Sequence, residues 1–316
     1  MHIPDGMLNA PTVAAAGASS AGFVAYAVAW VRKHFDQRRI VMMAVVSALV
    51  FALQMLNFPV AGGTSGHFAG GAAAAILLGP WPAVIVMTTV LLVQALVFAD
   101  GGLLALGANV LNMAVLAPFV GYALWRAIIA VRASRRWRMV GAFVAAWAAC
   151  VAAALAAGLE IWLSGNANFW LITGAMGFWH AIIGIGEGLI TAGLIAYVLA
   201  TRPDLIERPA QVEQRSVRGV AVVLGVVALI ATGLSFLASS HPDGLEYVYF
   251  EMGIGRAVGD VSPAKGPIPD YVIPGMNNET VAGVLAGVVG LVVTSVLLYA
   301  IVSSARKRKL HTAKRD

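Results

Sequence analysis

The first two residues of the chain, Met1 and His2, carry three nitrogen atoms that can bind one metal ion together. The N-terminal amine, the amide nitrogen of His2 and its imidazole Nδ1 can close fused chelate rings. Such a planar set suits Ni(II) or Cu(II) better than tetrahedral Zn(II), and it leaves one corner of the square open. His67, in the glycine-rich segment PVAGGTSGHFAGG, can fill that corner. The residues alone leave two interpretations open: a metal site of Met1, His2 and His67, or two histidines on one side of a membrane that bind no metal. A metal site would weaken at low pH, because its ligands must lose protons.

Two ionisable residues, His180 and Glu187, interrupt another apolar segment seven positions apart. In a helix they share a face but lie roughly 10 Å apart along the axis, too far for a direct pair. An acid within a membrane helix favours an ion pathway by default, whereas a hydrogen-bonded strut between helices is the structural alternative. Both interpretations stay open at this point.

Further polar side chains lie in FADGGLLALGANVLNMAV. Asp100 is expected at the outer end of a helix, where it can cap the helix that follows. Asn109 and Asn112 are three residues apart on one face and need partners inside the bundle. We expect them, together with Asp5, either to support the metal ligands from a second layer or to serve structure alone.

The amino-acid composition indicates that this chain is a membrane protein. Of the 316 residues 60% are hydrophobic and only 11% are charged, with a mean hydropathy of +0.84. A soluble chain of this length cannot bury so much apolar side chain, so an ordinary globular enzyme is excluded. The single Cys150 excludes an intramolecular disulfide framework and a thiolate cluster. Apolar segments that can cross about 30 Å of hydrocarbon are predicted at 12–31, 40–57, 80–98, 103–130, 137–163, 169–200, 218–238 and 281–303.

The basic residues orient these spans. All but Arg256 and Lys265 of the 21 Lys and Arg residues fall in three junctions between spans and in the C-terminal tail. The positive-inside rule places all four clusters in the cytoplasm, and their placement argues against a nucleic-acid partner. The first two junctions lie on the same side of the membrane, so an even number of crossings must separate them. The spans 40–57, 80–98 and 103–130 supply three, and only the short apolar piece 68–79 can supply the fourth. This gives nine crossings, with the N-terminus outside, and a short crossing that neighbouring helices must shield.

The segment 201–217 has the polar, proline-containing composition of a linker. It divides a membrane domain, 1–200, from a two-span unit, 218–303, which a basic tail, 304–316, follows. The two-span unit carries an extracytoplasmic loop, 239–280, whose five Pro and six Gly predict turns rather than a packed core. Asp243 and Glu246 in this loop can attract cations.

Several stretches resemble one family of metal importers. MHIPDGMLNAPT, GHFAGGAAAAILLGPWPAV, QALVFADGGLLALGANVLNMAV and HAIIGIGEGLITAGLIAYV resemble the CbiM/NikM family, the substrate-binding components of energy-coupling-factor importers for cobalt and nickel. HPDGLE at 241–246 resembles the PDGLE-type NikN component, here fused on the same chain. The fold class expected is an all-α polytopic membrane protein, with a seven-helix bundle and a two-helix C-terminal module.

This resemblance implies a function and a site. It implies that Met1, His2 and His67 bind the metal, and that the NikN-like part, with Asp243 and Glu246 in its loop, assists metal loading without an assured ligand role. The residues themselves, rather than the resemblance, suggest supporting roles for a further set: Asp5, Asp100, Asn109, Asn112, His180 and Glu187. Pro4–Asp5 resembles the nickel branch, so Ni(II) is the expected substrate, with Co(II) as the alternative and no organic cofactor. The partners implied are a transmembrane coupling protein and cytoplasmic ATPases in a bacterial inner membrane.

Two other classes of protein remain open from the residues alone. No G-x-x-x-x-G-K-[ST] phosphate loop occurs, so any ATP-driven transport needs an ATPase on another chain. A stand-alone, proton-coupled metal transporter would instead use Glu187 and His180 as a relay. A metal sensor or assembly scaffold would bind metal without uptake. A membrane enzyme is disfavoured, because one buried acid and one distant His make a poor catalytic set.

Overall fold

The computed structural model describes residues 1–207, 214–234, 238–239, 241–256 and 266–312. These residues form a mostly helical protein with one small hairpin. In chain order the elements are α1 (Ala10–His34), α2 (Gln37–Gln54), β1 (Phe58–Val60), β2 (Thr64–Gly66), α3 (Gly71–Leu78), α4 (Pro80–Val97), α5 (Leu106–Asn109), a π-helix (Val110–Leu116), α6 (Ala117–Val131), α7 (Arg135–Leu163), α8 (Phe169–Thr201), α9 (Asp204–Glu207), α10 (Gln214–Gly233), α11 (Gly244–Glu246), a second π-helix (Tyr247–Glu251), a 3-10 turn (Pro269–Tyr271) and α12 (Glu279–Thr312).

Seven helical segments are long and apolar enough to cross a membrane: α1, α2, α4, α5 through α6, α7, α8 and the Glu279–Ser303 part of α12. This confirms the predicted all-α polytopic membrane protein. The other two predicted crossings are shorter. The helix in 68–79 has eight residues, about 12 Å of rise, and the described apolar part of α10 is Leu224–Gly233. The direction in which the chain crosses stays a prediction.

Local sequence explains where the long helices begin. The side chain of Asn9 accepts a hydrogen bond from Thr12 N at the start of α1, where Pro11 occupies an early position that needs no amide donor. Asp36 and Asn168 cap α2 and α8 in the same way. Each cap satisfies backbone donors that the helix itself leaves unpaired.

The short helix α3 is surrounded by neighbours, as its length requires. Its sequence GAAAAILL places small residues against α4 and α6, and Gly71 through Ile76 are buried. Gly71 lies so close to the backbone oxygen of Met113 that a Cβ atom would be 3.1 Å from it. Small side chains therefore allow this short segment to lie inside the bundle.

The two C-terminal helices do not form a separate pair. Both α10 and α12 pack more extensively against α2 than against one another, and Gly290 of α12 lies against the ring of Phe51. The predicted linker 201–217 contains α9, while residues 208–213 lie outside the described residues, as do 313–316 of the predicted tail.

The segment 239–280 contains turns, as predicted, but it also buries side chains, which was not expected. Leu245, Val248 and Tyr249 are at most 2% exposed because they pack into the same core as the N-terminal residues. Residues 257–265 of this segment, which include Asp260 and Lys265, lie outside the described part of the chain.

Candidate metal site

The N-terminal segment lies inside the protein. Asn109 holds it by two hydrogen bonds: Ile3 N donates to Asn109 Oδ1 at 2.8 Å, and Asn109 Nδ2 donates to Ile3 O at 3.0 Å. Gly102 N also donates to Ile3 O, at 2.9 Å. Met1 and His2 are 5% and 8% exposed. The backbone of Ile3 therefore fixes the position of the two residues that precede it.

Asp5 anchors the same segment to the start of α5. Its carboxylate accepts hydrogen bonds from the N–H groups of Leu103, Leu104 and Ala105 at 2.8 to 3.1 Å. These donors precede the helix, whose N-cap, Ala105, has no side-chain cap. The predicted capping role of Asp100 is therefore wrong, because a carboxylate from the chain's own N-terminus satisfies these donors.

The structure brings the predicted metal-binding residues together. The amine nitrogen of Met1 lies 3.0 Å from Nε2 of His67, although 66 residues separate them. The imidazole rings of His2 and His67 are stacked, with centroids 5.4 Å apart and planes inclined by 15°. The Met1 amine and the imidazole rings of His2 and His67 thus lie together in one buried place.

Backbone geometry and Glu187 together position His67. The antiparallel hairpin β1–β2 turns at Gly62 and Gly63, both with positive φ, and delivers His67 directly after β2. The carboxylate of Glu187 on α8 then accepts hydrogen bonds from Ala69 N at 2.6 Å and Gly70 N at 3.0 Å. Glu187 therefore acts here as a strut that holds the segment following His67.

Two predicted supporting residues have other hydrogen-bond partners, although His180 lines a small cavity together with Met1 and His67. Asn112 donates to Glu160 Oε2 at 2.7 Å, on α7, rather than toward the N-terminus. Asn109 thus supports the N-terminal residues rather than the His67 loop, and Asn112 forms a contact between helices, which is the structural alternative for these two residues. His180 is buried and its Nδ1 bonds to the carbonyl of Met176 at 2.9 Å, so it makes no direct pair with Glu187.

The imidazole of His2 has polar partners on both nitrogens. Nε2 lies 3.2 Å from Gln94 Oε1, and Nδ1 lies 3.2 Å from Asp100 Oδ1. Tyr271 donates its hydroxyl to the other oxygen of Asp100 at 2.5 Å. Sequence reasoning missed Tyr271, because no spacing relates a tyrosine in a turn to an acid 171 residues earlier.

The C-terminal unit reaches the site through Asp243. Its carboxylate forms an ion pair with the amine of Met1. Ser65, two residues before His67, holds the turn that precedes Asp243: its N–H donates to Pro242 O and its hydroxyl to His241 O, each at 2.8 Å. Asp243 was predicted only as part of a cation-attracting loop, and its contact with Met1 was not foreseen.

Burial decides the protonation of the two histidines. Burial, then the nearby N-terminal amine, lowers the pKa of His67 to about 3. Burial also lowers the pKa of His2, although Asp100 opposes the shift. The Met1 amine and His67 lower the pKa of the Asp243 carboxyl, outweighing the burial that would raise it. Both imidazoles are therefore neutral near pH 7, with a lone pair available to bind a metal.

The donor set is unusual in its composition. Among the described residues, no cluster of three or more His, Cys, Asp or Glu side chains is placed to hold a metal ion. The arrangement at Met1, His2 and His67 contains only two such side chains. Its other two donors are the chain's amine and an amide nitrogen, which residue types alone do not reveal.

Comparisons with known proteins identify the family of this chain. The model of the CbiM family, described as the cobalt uptake substrate-specific transmembrane region, matches residues 2–205, and that of the PDGLE domain matches 218–307. The putative fused nickel transport protein NikMN of Archaeoglobus fulgidus is 40% identical over 97% of this chain and 99% of its own length. The fused nickel transport protein NikMN of Rhodobacter capsulatus is 33% identical over 92% of this chain and 94% of its own.

A solved structure, described as that of a transition metal transporter, is 34% identical to this chain. It aligns over 68% of this chain and all of its own length, with a TM-score of 0.60. With a family model that covers well over half of its residues and full-length relatives above 30% identity, this multi-pass membrane protein belongs to the CbiM family and carries a PDGLE domain after the CbiM region.

Proposed function

We propose that this chain captures Ni(II) for import, with the Met1 amine, the His2 amide nitrogen, His2 Nδ1 and His67 Nε2 as its four ligands. The observation that carries the proposal is the 3.0 Å approach of the Met1 amine to His67 Nε2, beside the stacked ring of His2. Four nitrogens in this arrangement suit a square-planar ion and disfavour Mg(II) and Ca(II), which prefer oxygen ligands.

Second-layer contacts support this assignment of ligand atoms. Donation from His2 Nε2–H to Gln94 Oε1 leaves the lone pair on Nδ1, the nitrogen that the chelate requires. That lone pair faces the carboxylate of Asp100 at 3.2 Å, and a cation between these two acceptors stabilises both. Metal binding replaces the ion pair of the Met1 amine with Asp243, so that carboxylate must release the amine when the ion enters.

The names of the relatives support nickel over cobalt without excluding the second ion. The fused relatives are named as nickel transport proteins, whereas others, such as that of Sorangium cellulosum, are named as cobalt transport proteins. The fused arrangement and Pro4–Asp5 favour nickel as the substrate of this chain. Cobalt is the alternative substrate of the same site.

We also propose the wider setting of the site. The four basic clusters support an arrangement with the N-terminus outside and the site at the extracytoplasmic face of a bacterial inner membrane. Residues 1–200 act as the metal-binding domain, 218–303 as a unit that covers the site, and 201–217 as their cytoplasmic linker. A separate coupling membrane protein and cytoplasmic ATPases power release inward. The two hydrogen bonds of Glu187 favour its role as a strut over a proton relay.

One comparison tests the metal site directly. Adding a single residue before Met1 keeps every side chain but moves the amine out of chelating position, and His67→Ala removes the fourth ligand. We expect calorimetric Ni(II) binding and the square-planar absorption band to disappear in both variants of the full chain in detergent.

The matched control is His34→Ala, because His34 is exposed at the end of α1 and bonds only to the carbonyl of Trp30. It should bind Ni(II) as the native chain does. Full binding by the extended chain would reject the proposed ligand set.

A further inference from the structure

A large polar cavity lies directly beside the candidate metal site. It has a volume of about 600 Å³, and its walls include both His2 and His67. An ion with six bound waters needs about 200 Å³, at roughly 30 Å³ for each water. The cavity is therefore far larger than a bare ion in a four-nitrogen site requires, and it accommodates an ion that keeps its hydration shell.

The walls of this cavity carry acceptors and negative charge. Five carboxylates line it, from both parts of the chain: Asp5, Asp100, Asp243, Glu246 and Asp270. Within the described residues no Lys or Arg lines it. The water molecules around a metal ion present only O–H donors to their surroundings, so a wall of acceptors fits them.

A buried amide gives an independent indication of a ligand. Gln54 lines the same cavity and is only 5% exposed. Its Nε2 donates to Ala69 O at 2.6 Å, which fixes the side chain, but its Oε1 has no hydrogen-bond partner. A buried, fixed and unpaired acceptor is costly unless a donor reaches it, and a metal-bound water is such a donor.

The other carboxylates are held in place while keeping acceptor capacity. Glu246 receives one hydrogen bond, from Asp243 N, within a capping box, and Asp270 is held through its backbone N–H to Phe98 O. Each carboxylate has about four acceptor positions, so one bond leaves most of them available. Glu246 therefore combines a held carboxylate with free acceptor capacity, whereas Asp270 has a held backbone and a carboxylate that lines the cavity.

We propose that this cavity is a waiting site for the hydrated divalent metal ion, which binds there through its water molecules before it is dehydrated at Met1, His2 and His67. This inference rests on the proposed function and adds a second, outer position to it. Gln54 Oε1, Asp100, Glu246 and Asp270 accept hydrogen bonds from the bound waters. Both units of the fused chain contribute to the site, so neither unit forms it alone.

The test uses hexaamminecobalt(III), a cation whose six ammonia ligands do not exchange. It presents N–H donors as a hydrated ion presents O–H donors, and it cannot enter the four-nitrogen site. Calorimetry on the full chain in detergent should show one bound hexaamminecobalt(III), and the same probe should slow Ni(II) association in stopped-flow absorption.

The variants are Glu246→Gln and Asp270→Asn, alone and together. Gln keeps the acceptor of the capping box, and Asn tolerates the positive φ of residue 270, so both variants should fold. A unit charge about 6 Å from a divalent ion in salt-screened water changes occupancy about threefold. We therefore expect each substitution to weaken probe binding and slow Ni(II) association at least about threefold, and the pair about tenfold. Glu251→Gln, an exposed neighbour that does not line the cavity, is the matched control.

Two outcomes overturn the waiting site: hexaamminecobalt(III) fails to bind the native chain, or it binds the double variant as tightly as the native chain. The chain with one residue added before Met1 separates this proposal from the four-nitrogen site. If the waiting site is correct, that variant loses the tight, square-planar binding of Ni(II) but retains hexaamminecobalt(III). If only the four-nitrogen site is wrong, the extended variant keeps Ni(II) while the cavity variants still lose the probe.

Discussion

Asn109 allows a sharp test of how the N-terminus is held. Asn109→Ala removes both hydrogen bonds to the backbone of Ile3. The carbonyl of Ile3 keeps its bond from Gly102 N, so one buried N–H loses its partner, at a cost of about 1–3 kcal/mol. Because residues 1–3 form a chain end, they can leave their place instead of remaining unpaired. The substitution should therefore weaken metal binding rather than lower the free energy of unfolding of the whole protein.

The expected result is a loss of nickel affinity. Since about 1.4 kcal/mol corresponds to a tenfold change, the Ni(II) dissociation constant should rise about 5- to 150-fold. Calorimetry on the purified full chain measures it, and circular dichroism checks that the helices are retained. The thermal midpoint should change little, because the core helices keep their contacts.

The chain offers a matched control in Asn112, three residues further along. Asn109 and Asn112 are 2% and 3% exposed, and each lies in the same helical segment. Asn112→Ala removes the partner of Glu160 and should lower the thermal midpoint while leaving the nickel affinity unchanged. The reasoning fails if Asn109→Ala binds nickel as tightly as the native chain, or if both variants lose affinity equally.

Three further predictions concern the same site. In Gly102→Ala the new Cβ would lie 2.1 Å from Asp5 Oδ1 and 2.4 Å from Asp5 N, so the N-terminal segment must shift, and calorimetry should show weaker nickel binding. Glu187→Gln leaves one acceptor oxygen for the two N–H groups of Ala69 and Gly70, and should lower the thermal midpoint and the affinity together; uptake lost with binding intact would favour a proton relay instead. Nickel at a hundred times its dissociation constant should stabilise the native chain by about 2.7 kcal/mol in thermal unfolding, and should not stabilise the chain with one residue added before Met1.

The sequence predicts the membrane helices well because their signal is local. Hydropathy and helix length depend on neighbouring residues, and the long apolar segments predicted at 12–31 or 137–163 agree with α1 and α7 within a few residues. The short α3 was predicted from charge parity rather than from its own length, and the structure shows it enclosed by other helices. Burial by neighbours is the physical reason that so short a segment persists.

Contacts over long sequence separations were harder to predict. The roles of Asn109 and Asn112 depend on which helix each faces, and the π-helix that begins at Val110 alters the register between them. Three-residue spacing in an ideal α-helix would place both on one face, whereas the structure directs them to Ile3 and Glu160. Tyr271 and Asp243 reach the site from a turn-rich segment, where no periodicity relates them to His2 or Met1.

The position of Glu187 within α8 has a mechanical consequence. This helix has 33 residues and is about 50 Å long, more than the roughly 30 Å of a hydrocarbon core, and Glu187 lies near its middle. Its two hydrogen bonds couple the helix to the backbone immediately after His67. If α8 tilts as a rigid helix, the Glu187 carboxylate moves with it and displaces Ala69 and Gly70. Force at one surface of the membrane can separate His67 from Met1 without any group touching the metal.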